Sequence, residues 1–162
     1  MAITRPDFPL PDVADELVAP FFAGAAAGEL RVTRCRACSA YVWYPVEACP
    51  DCGETAIEWV AVSGRGTLFS WAVVRRAFLP AFADRVPFVT ALVALDEDPA
   101  VRLCTLVVDL DLDDDDLAFD RGIATLHADA PMEVVFRPLR FTTVPDREVI
   151  VPMFRLARGH ES

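Results

Sequence analysis

From Thr67 onward, apolar and polar positions alternate in short runs separated by turn-forming residues. The runs Leu68–Val74, Phe88–Leu95, Val101–Val108, Met132–Phe136 and Val149–Phe154 predict five strands. Asp96-Glu-Asp-Pro99 reads as the hairpin connection between the second and third. Pro138 to Arg147 reads as a loop between the fourth and fifth. The break between the third and fourth strands is longer, and its acidic run, Asp109 to Asp120, reads as a solvated connection. Five short strands in this arrangement suit a small Greek-key barrel, the class to which the five-stranded OB-fold belongs.

The first sixty residues are patterned differently. Met1 to Asp12 is rich in proline and predicts an extended arm, either without fixed structure or laid on a partner. Asp12 can cap a helix starting at Val13. Pro20 then interrupts it or opens a second short helix through Phe21 and Phe22, which Gly28 stops. Helices this short need a surface to dock on, in this chain or in another. Leu30-Arg-Val32, Tyr41-Val-Trp43 and Ala56-Ile-Glu-Trp59 are β-prone segments around two cysteine pairs. The predicted fold is therefore mainly β. Its parts are an arm with short helices over 1–28, a rubredoxin-like ribbon over 29–60 and an OB-fold over 61–158.

The pairs are Cys35-Arg-Ala-Cys38 and Cys49-Pro-Asp-Cys52, with ten residues between them. Together Cys35, Cys38, Cys49 and Cys52 offer the four thiolates of a structural Zn²⁺ site. The competing readings are two disulfides or a redox dithiol. Neither an apolar leader-like segment nor a βαβ pattern favours them. Arg31, Arg34 and Arg36 lie where they can offset the charge of a Zn(Cys)4 centre. Tyr41, Trp43, Tyr44 and Trp59 are expected to pack over the metal. A site with four protein ligands has no open position for substrate, so the metal is expected to staple the fold.

Composition narrows the function. Apolar residues make up 54% of the 162, enough for a core, and no uninterrupted apolar run reaches membrane-spanning length. The N-terminus has no signal-peptide pattern, and the expected compartment is the cytoplasm. The net charge is −10, which argues against nucleic acid as a partner. All fifteen basic residues are arginine, so this chain cannot supply a Schiff-base lysine.

Other candidates are weaker. Ser63-Gly64-Arg65-Gly66 lacks the third glycine and the helix of a dinucleotide fingerprint, and predicts a turn or bulge entering a strand. Asp109, Asp111 and Asp113 alternate as calcium ligands can. Asp114 stands where an EF-hand loop needs glycine, however, and Asp120 where it needs glutamate. Cys104 is expected to be a buried, inert thiol. His127 and His160 have no evident nucleophile partner, and no Ser-His-Asp, HExxH or P-loop pattern is present. The long connection Arg75–Arg85 carries Arg75, Arg76, Phe78, Phe82 and Arg85. It is either a binding loop or a plug of phenylalanines over the barrel mouth.

Several segments occur together in a known order: Phe21-Phe22, Gly28-Glu-Leu30, both cysteine pairs, Trp59 and Ser63-Gly-Arg-Gly-Thr67. Pro80-Ala-Phe82, Val86-Pro-Phe-Val89 and Ala130-Pro-Met-Glu-Val-Val-Phe136 follow. This order resembles the acyl-CoA-associated proteins that join a rubredoxin-like zinc ribbon to an OB-fold, from about Phe21 to Phe154. The resemblance implies a small, non-catalytic partner subunit of a thiolase-like enzyme in a hetero-oligomer. Such enzymes include thiolases, synthases and aldolases that shorten CoA-borne steroid side chains. The resemblance also implies acyl-CoA shared with the partner, and zinc-ligand roles for the four cysteines. Between Asp109 and Ala130 the chain departs from the family with a longer connection, where an extra helix or strand is expected. The alternatives are a nucleic-acid-binding zinc-ribbon/OB module, as both folds commonly bind nucleic acid, and a stand-alone enzyme. For CoA phosphates, Arg75, Arg76 and Arg85 are the candidate contacts.

Overall fold

A computed structural model describes residues 7–110 and 116–158. Strands β1 (Arg31–Cys35), β2 (Tyr41–Val42) and β3 (Ile57–Ala61) form an antiparallel sheet in the order β2-β1-β3. Strands β4 (Arg65–Val74), β5 (Phe88–Leu95), β6 (Arg102–Val107), β7 (Pro131–Phe141) and β8 (Val144–Leu156) close a barrel. Its order is β4-β5-β6-β8-β7, with β7 pairing back onto β4. This is the expected zinc-ribbon-like sheet followed by a five-stranded OB-type barrel.

Closure follows from β4. Its first three residues pair with β7, while nearly its whole length pairs with β5, across a bulge between Leu68 and Ser70 that bends the strand. Gly64 and Gly66 make this junction possible. Gly64 has φ 74° and lies against Val134, and a Cβ on Gly66 would sit on the carbonyl oxygen of Ala94. Inward residues alternate along the strands: Val89, Ala91, Val93 and Leu95 on β5, Leu103 and Val107 on β6. Leu30 and Val32 enter the same core from the ribbon side, so ribbon and barrel share buried surface. At the seam between β6 and β8 only Val107 and Phe154 pair, in parallel.

Several expectations need correction. Pro138–Arg147 is not a loop: β7 and β8 pair from Met132↔Leu156 to Phe141↔Val144 as one long hairpin. Beyond Glu133, β7 has no second strand beside it, and at such an edge a missing proline N–H is tolerated. The acidic connection contains a helix, α2 (Asp116–Ala124), which buries Phe119 and brings Gly122 against Leu110. α2 is the extra element expected between Asp109 and Ala130; what changes is the acidic run to Asp120, whose residues from Asp116 on are helical and not a solvated connection.

At the N-terminus no helix starts at Val13. The Asp12 and Asp15 carboxylates accept from the N–H groups of Ala14 (3.1 Å) and Leu17 (2.9 Å), which holds this stretch in turns. One helix follows, α1 (Ala19–Ala26), with Pro20 in its first turn where no N–H is needed, and Gly28 beyond its end at φ 77°. The described part of the arm lies on this chain's own hairpin. Leu10 is buried with Ala81, Phe141 and Val144, and Asp7 pairs with Arg147 at 3.3 Å.

Candidate functional site

The two cysteine knuckles have the same backbone plan. Ser39 N–H donates to the Cys35 carbonyl and Gly53 N–H to the Cys49 carbonyl, each at 2.9 Å. The residue after each second cysteine is left-handed, Ser39 at φ 63° and Gly53 at φ 78°. Strand pairing of β1 with β2 and β3 brings the knuckles together. Cys35 and Cys49 are buried, while Cys38 and Cys52 are exposed.

The four sulfurs lie within 4.8 Å of one another. Cys35 Sγ is 3.6 Å from Cys52 Sγ, and Cys38 Sγ 3.7 Å from Cys49 Sγ. Four thiolates about 2.3 Å from one zinc ion stand about 3.8 Å apart at tetrahedral corners, so the donor set fits. These spacings are far longer than the ~2.05 Å of a disulfide. The cysteines are free thiols.

The sulfurs do not ionise alike. The backbone N–H of Cys38 leads in holding the Cys35 thiol down to about 7, against the effect of burial. At Cys52 the backbone N–H of Glu54 favours the thiolate. Burial and the three neighbouring sulfurs outweigh it, pushing Cys52 up to about 12. Four thiolates this close need a cation to ionise together, and a divalent ion supplies it.

The residues around the knuckles differ from expectation. Val42 and Ile57 pack on the buried cysteines. The aromatics face the other way. Phe21 meets Trp43 at 5.3 Å and Trp59 at 6.4 Å, which ties α1 to the ribbon, and Tyr44 is largely exposed. Arg31 pairs with Glu29 and Arg36 with Glu58. Arg34 donates to the Ser39 carbonyl and lies over Tyr41, bracing the first knuckle.

In the loop between β4 and β5, the five candidate residues are dispersed. Arg75 is bound to Asp120 at 2.5 Å and lies over Phe119, so it fastens α2. Arg85 donates to the Arg140 carbonyl and lies 4.6 Å from the Phe141 ring centre. Phe82 packs on Phe141 and Phe88. Phe78, by contrast, is 90% exposed, with Leu79 beside it. Arg76 is exposed and has no ion-pair partner among the described residues.

Three other candidates move. Cys104 is exposed, not buried, because β6 turns Leu103, Thr105 and Val107 inward and Cys104 outward. Asp109 has φ 56° and its carboxylate pairs with Arg137 (3.4 Å) and Arg155 (3.3 Å). Asp111, Asp113 and Asp114 lie outside the described residues, as does His160. His127 is exposed, with its ring nitrogen 3.0 Å from the Ala128 carbonyl oxygen.

A four-sulfur ribbon fused to an OB-type barrel defines a zinc-ribbon/OB-fold protein. Residues 22–58 match the rubredoxin-like zinc ribbon domain of ChsH2, and residues 59–137 match the ChsH2 C-terminal OB-fold domain. The chain thus carries, in succession, the zinc-ribbon and OB-fold domains of the ChsH2 architecture over residues 22–137. It is similar to a solved chain titled "Ltp2-ChsH2(DUF35) aldolase", with 29% identity and TM-score 0.66, covering 90% of this chain and 98% of that one. It is 33% identical over 129 residues to a probable enoyl-CoA hydratase alpha subunit of Thermomonospora curvata, covering 79% of this chain. This chain spans 38% of that relative's length. A DUF35-family protein of unknown function from Sulfolobus solfataricus shares the fold, with TM-score 0.51 at 13% identity over 75% of this chain. No helix among the described residues is long and apolar enough to cross a membrane.

Proposed function

We propose that this chain is a non-catalytic, zinc-holding accessory subunit of an enzyme that acts on a CoA thioester. Its partner on this reading is a thiolase-like catalytic chain of the thiolase or aldolase type, joined with it in a hetero-oligomer. The observation that carries the reading is the similarity to the solved chain titled "Ltp2-ChsH2(DUF35) aldolase", over 90% of this chain and 98% of that one. The donor set supports the same role. Cys35, Cys38, Cys49 and Cys52 would hold Zn²⁺ with all four positions filled by sulfur. A zinc so ligated supplies cross-linking of the ribbon, with no open position for substrate.

The catalytic groups then come from the partner, and this chain supplies shape. Phe78, Leu79 and Arg76 form its exposed loop tip and are the residues we assign to contact with the partner or with CoA phosphate. Arg75, Arg85 and Phe82 hold that loop in place.

The test is co-purification of the tagged chain with a thiolase-like protein from its native cells, followed by reconstitution. The expected result is a stable complex whose CoA-thioester activity falls sharply when this chain is omitted. A partner fully active alone, or a CoA thioester turned over by this chain unaided, would overturn the reading.

A further inference from the structure

A cleft between the ribbon and the β5–β6 hairpin belongs to neither the zinc centre nor the loop tip. Its volume is about 450 Å³. That lies within the ~300–1,000 Å³ range of small-molecule pockets. One wall is the ribbon between Ala40 and Asp51, and the other is the turn from Asp98 to Val101. Tyr41, Trp43 and Tyr44 supply aromatic surface, and Asp51 and Asp98 supply charge. The remaining lining residues are alanine, valine and proline, and none is basic.

Two separate features say what this cleft would take. The first is a corner of rings. The Trp43 and Tyr44 ring centres are 5.6 Å apart, with their planes at 62°. Tyr44 is 66% exposed, so its ring is not used up by the chain's own packing. Two rings at such an angle can cover a cation from two sides, and their quadrupoles attract it. Tyr41 already shows this chemistry, with the Arg34 guanidinium 5.6 Å from its ring centre. Arg34 is held there by its bond to the Ser39 carbonyl.

The second feature is the pair of carboxylates. Asp98 is fixed by its turn: Oδ1 accepts from the Ala100 N–H and the carbonyl from the Val101 N–H, each at 2.9 Å. Neither Asp51 nor Asp98 has an ion-pair partner among the described residues, whereas Glu29, Glu58 and Asp96 nearby in the chain each pair with an arginine. An anion would meet two like charges in this cleft, and a neutral guest would leave both carboxylates without a counter-charge. A guest rich in N–H groups asks for hydrogen bonds that ring faces do not return. A quaternary ammonium has no N–H to leave unpaired and presents methyl groups to the rings.

We propose that this cleft binds a quaternary ammonium ion of the choline type, its methyl groups on Trp43 and Tyr44 and its charge facing Asp51 and Asp98. The inference does not rest on the accessory-subunit reading, since every lining residue belongs to this chain.

The test is calorimetric titration of the full, zinc-loaded chain with choline at fixed ionic strength. The expected result is saturable binding at one site per chain. 3,3-Dimethyl-1-butanol has the same shape without the charge, and should bind about tenfold more weakly or worse. Glycine betaine, which brings its own carboxylate, should also bind more weakly than choline. Asp98→Asn keeps the oxygen that accepts from Ala100 and removes the charge. Tyr44→Leu removes an exposed ring. Each should weaken choline binding about fivefold or more while zinc content stays at the native level. Phe69→Leu, an exposed ring on the barrel outside the cleft, should bind choline as the native chain does. No saturable binding, equal binding of choline and its neutral analogue, or unchanged affinity in either cleft variant overturns the proposal. So does a loss in Phe69→Leu equal to that in Tyr44→Leu. The comparison of the three ligands uses the native chain alone, so a variant that fails to fold does not blunt it.

Discussion

Cys49 is buried and Cys52 exposed, although both belong to one knuckle. A buried thiolate has no water to replace a lost metal, so Cys49 is the more sensitive position. Cys49→Ser should bring bound zinc from one per chain to near none by elemental analysis, and should loosen the ribbon. The apparent binding energy of such a site is on the order of 10 kcal/mol, and most of it is folding energy. Because Leu30 and Val32 join the barrel core, chelation of zinc should also lower the barrel's melting temperature.

A second single-residue prediction concerns Glu97, at the junction of ribbon and barrel. Its Oε1 accepts from the Ser63 N–H at 2.5 Å, while Oε2 is buried without a hydrogen-bond partner. Burial raises this carboxyl's pKa, but the Ser63 N–H and hydroxyl, with Arg65 nearby, outweigh it and hold the group below its ordinary 4.5. A depressed carboxylate contributes stability that is complete above about 4.5 and is lost as pH falls through the lower folded value. Glu97→Gln should therefore be less stable than the native chain at pH 7, with the gap closing below pH 4.5. Urea midpoints at the two pH values measure this. The same slope in both proteins would remove Glu97 from the account.

At the scale of elements, α1 is held by side chains more than by its own propensity. It has eight residues, no side-chain N-cap and no charge in either end turn. Its anchor is Phe21 against Trp43 and Trp59. Phe21→Ala should cost about 3 kcal/mol, the lower end for a phenylalanine lost from a packed site. It should shift tryptophan emission to the red while zinc content stays unchanged. An unaltered spectrum would mean that α1 docks by other contacts.

The elements also show what was legible in the sequence. The five strands and both knuckles were readable because alternation and cysteine spacing are local signals. Gly64-Arg-Gly66 was readable as a turn into a strand, although the close approach of Ala94 to Gly66 is not a local property. The β7–β8 hairpin was cut short at Pro138, since a proline is tolerable there only because β7 has a free edge, and edges are set by topology. The apolar groove between β6 and β8 had no sequence signal at all. It gathers residues from the arm, α1, the ribbon and β5, β6, β7 and β8, and only their assembly defines it.

For the whole molecule, the net charge of −10 coexists with arginines that are mostly engaged. Arg75, Arg137, Arg140, Arg147 and Arg155 each pair with a carboxylate of this chain. Such a surface has little cation left to meet a polyphosphate backbone, which weighs against the nucleic-acid alternative. The loop between β4 and β5 separates two uses of one residue type. Phe82 is seated against Phe141 and Phe88 and belongs to this chain's own packing. Phe78, four residues earlier, is 90% exposed and adds nothing to that packing. Removing each ring should therefore act on a different property. Phe82→Ala should lower stability by about 2–3 kcal/mol, somewhat below the usual range because the ring is only half-buried. Phe78→Ala should leave the melting temperature within the scatter of surface substitutions, about 0.5 kcal/mol. If the loop tip is where the partner sits, Phe78→Ala should instead weaken the complex by 2 kcal/mol or more, about thirtyfold in Kd, as loss of a central aromatic does. Calorimetry of each variant beside a binding titration with the catalytic chain separates the two effects. A Phe78→Ala chain that binds as tightly as the native one would move the contact surface elsewhere on the barrel.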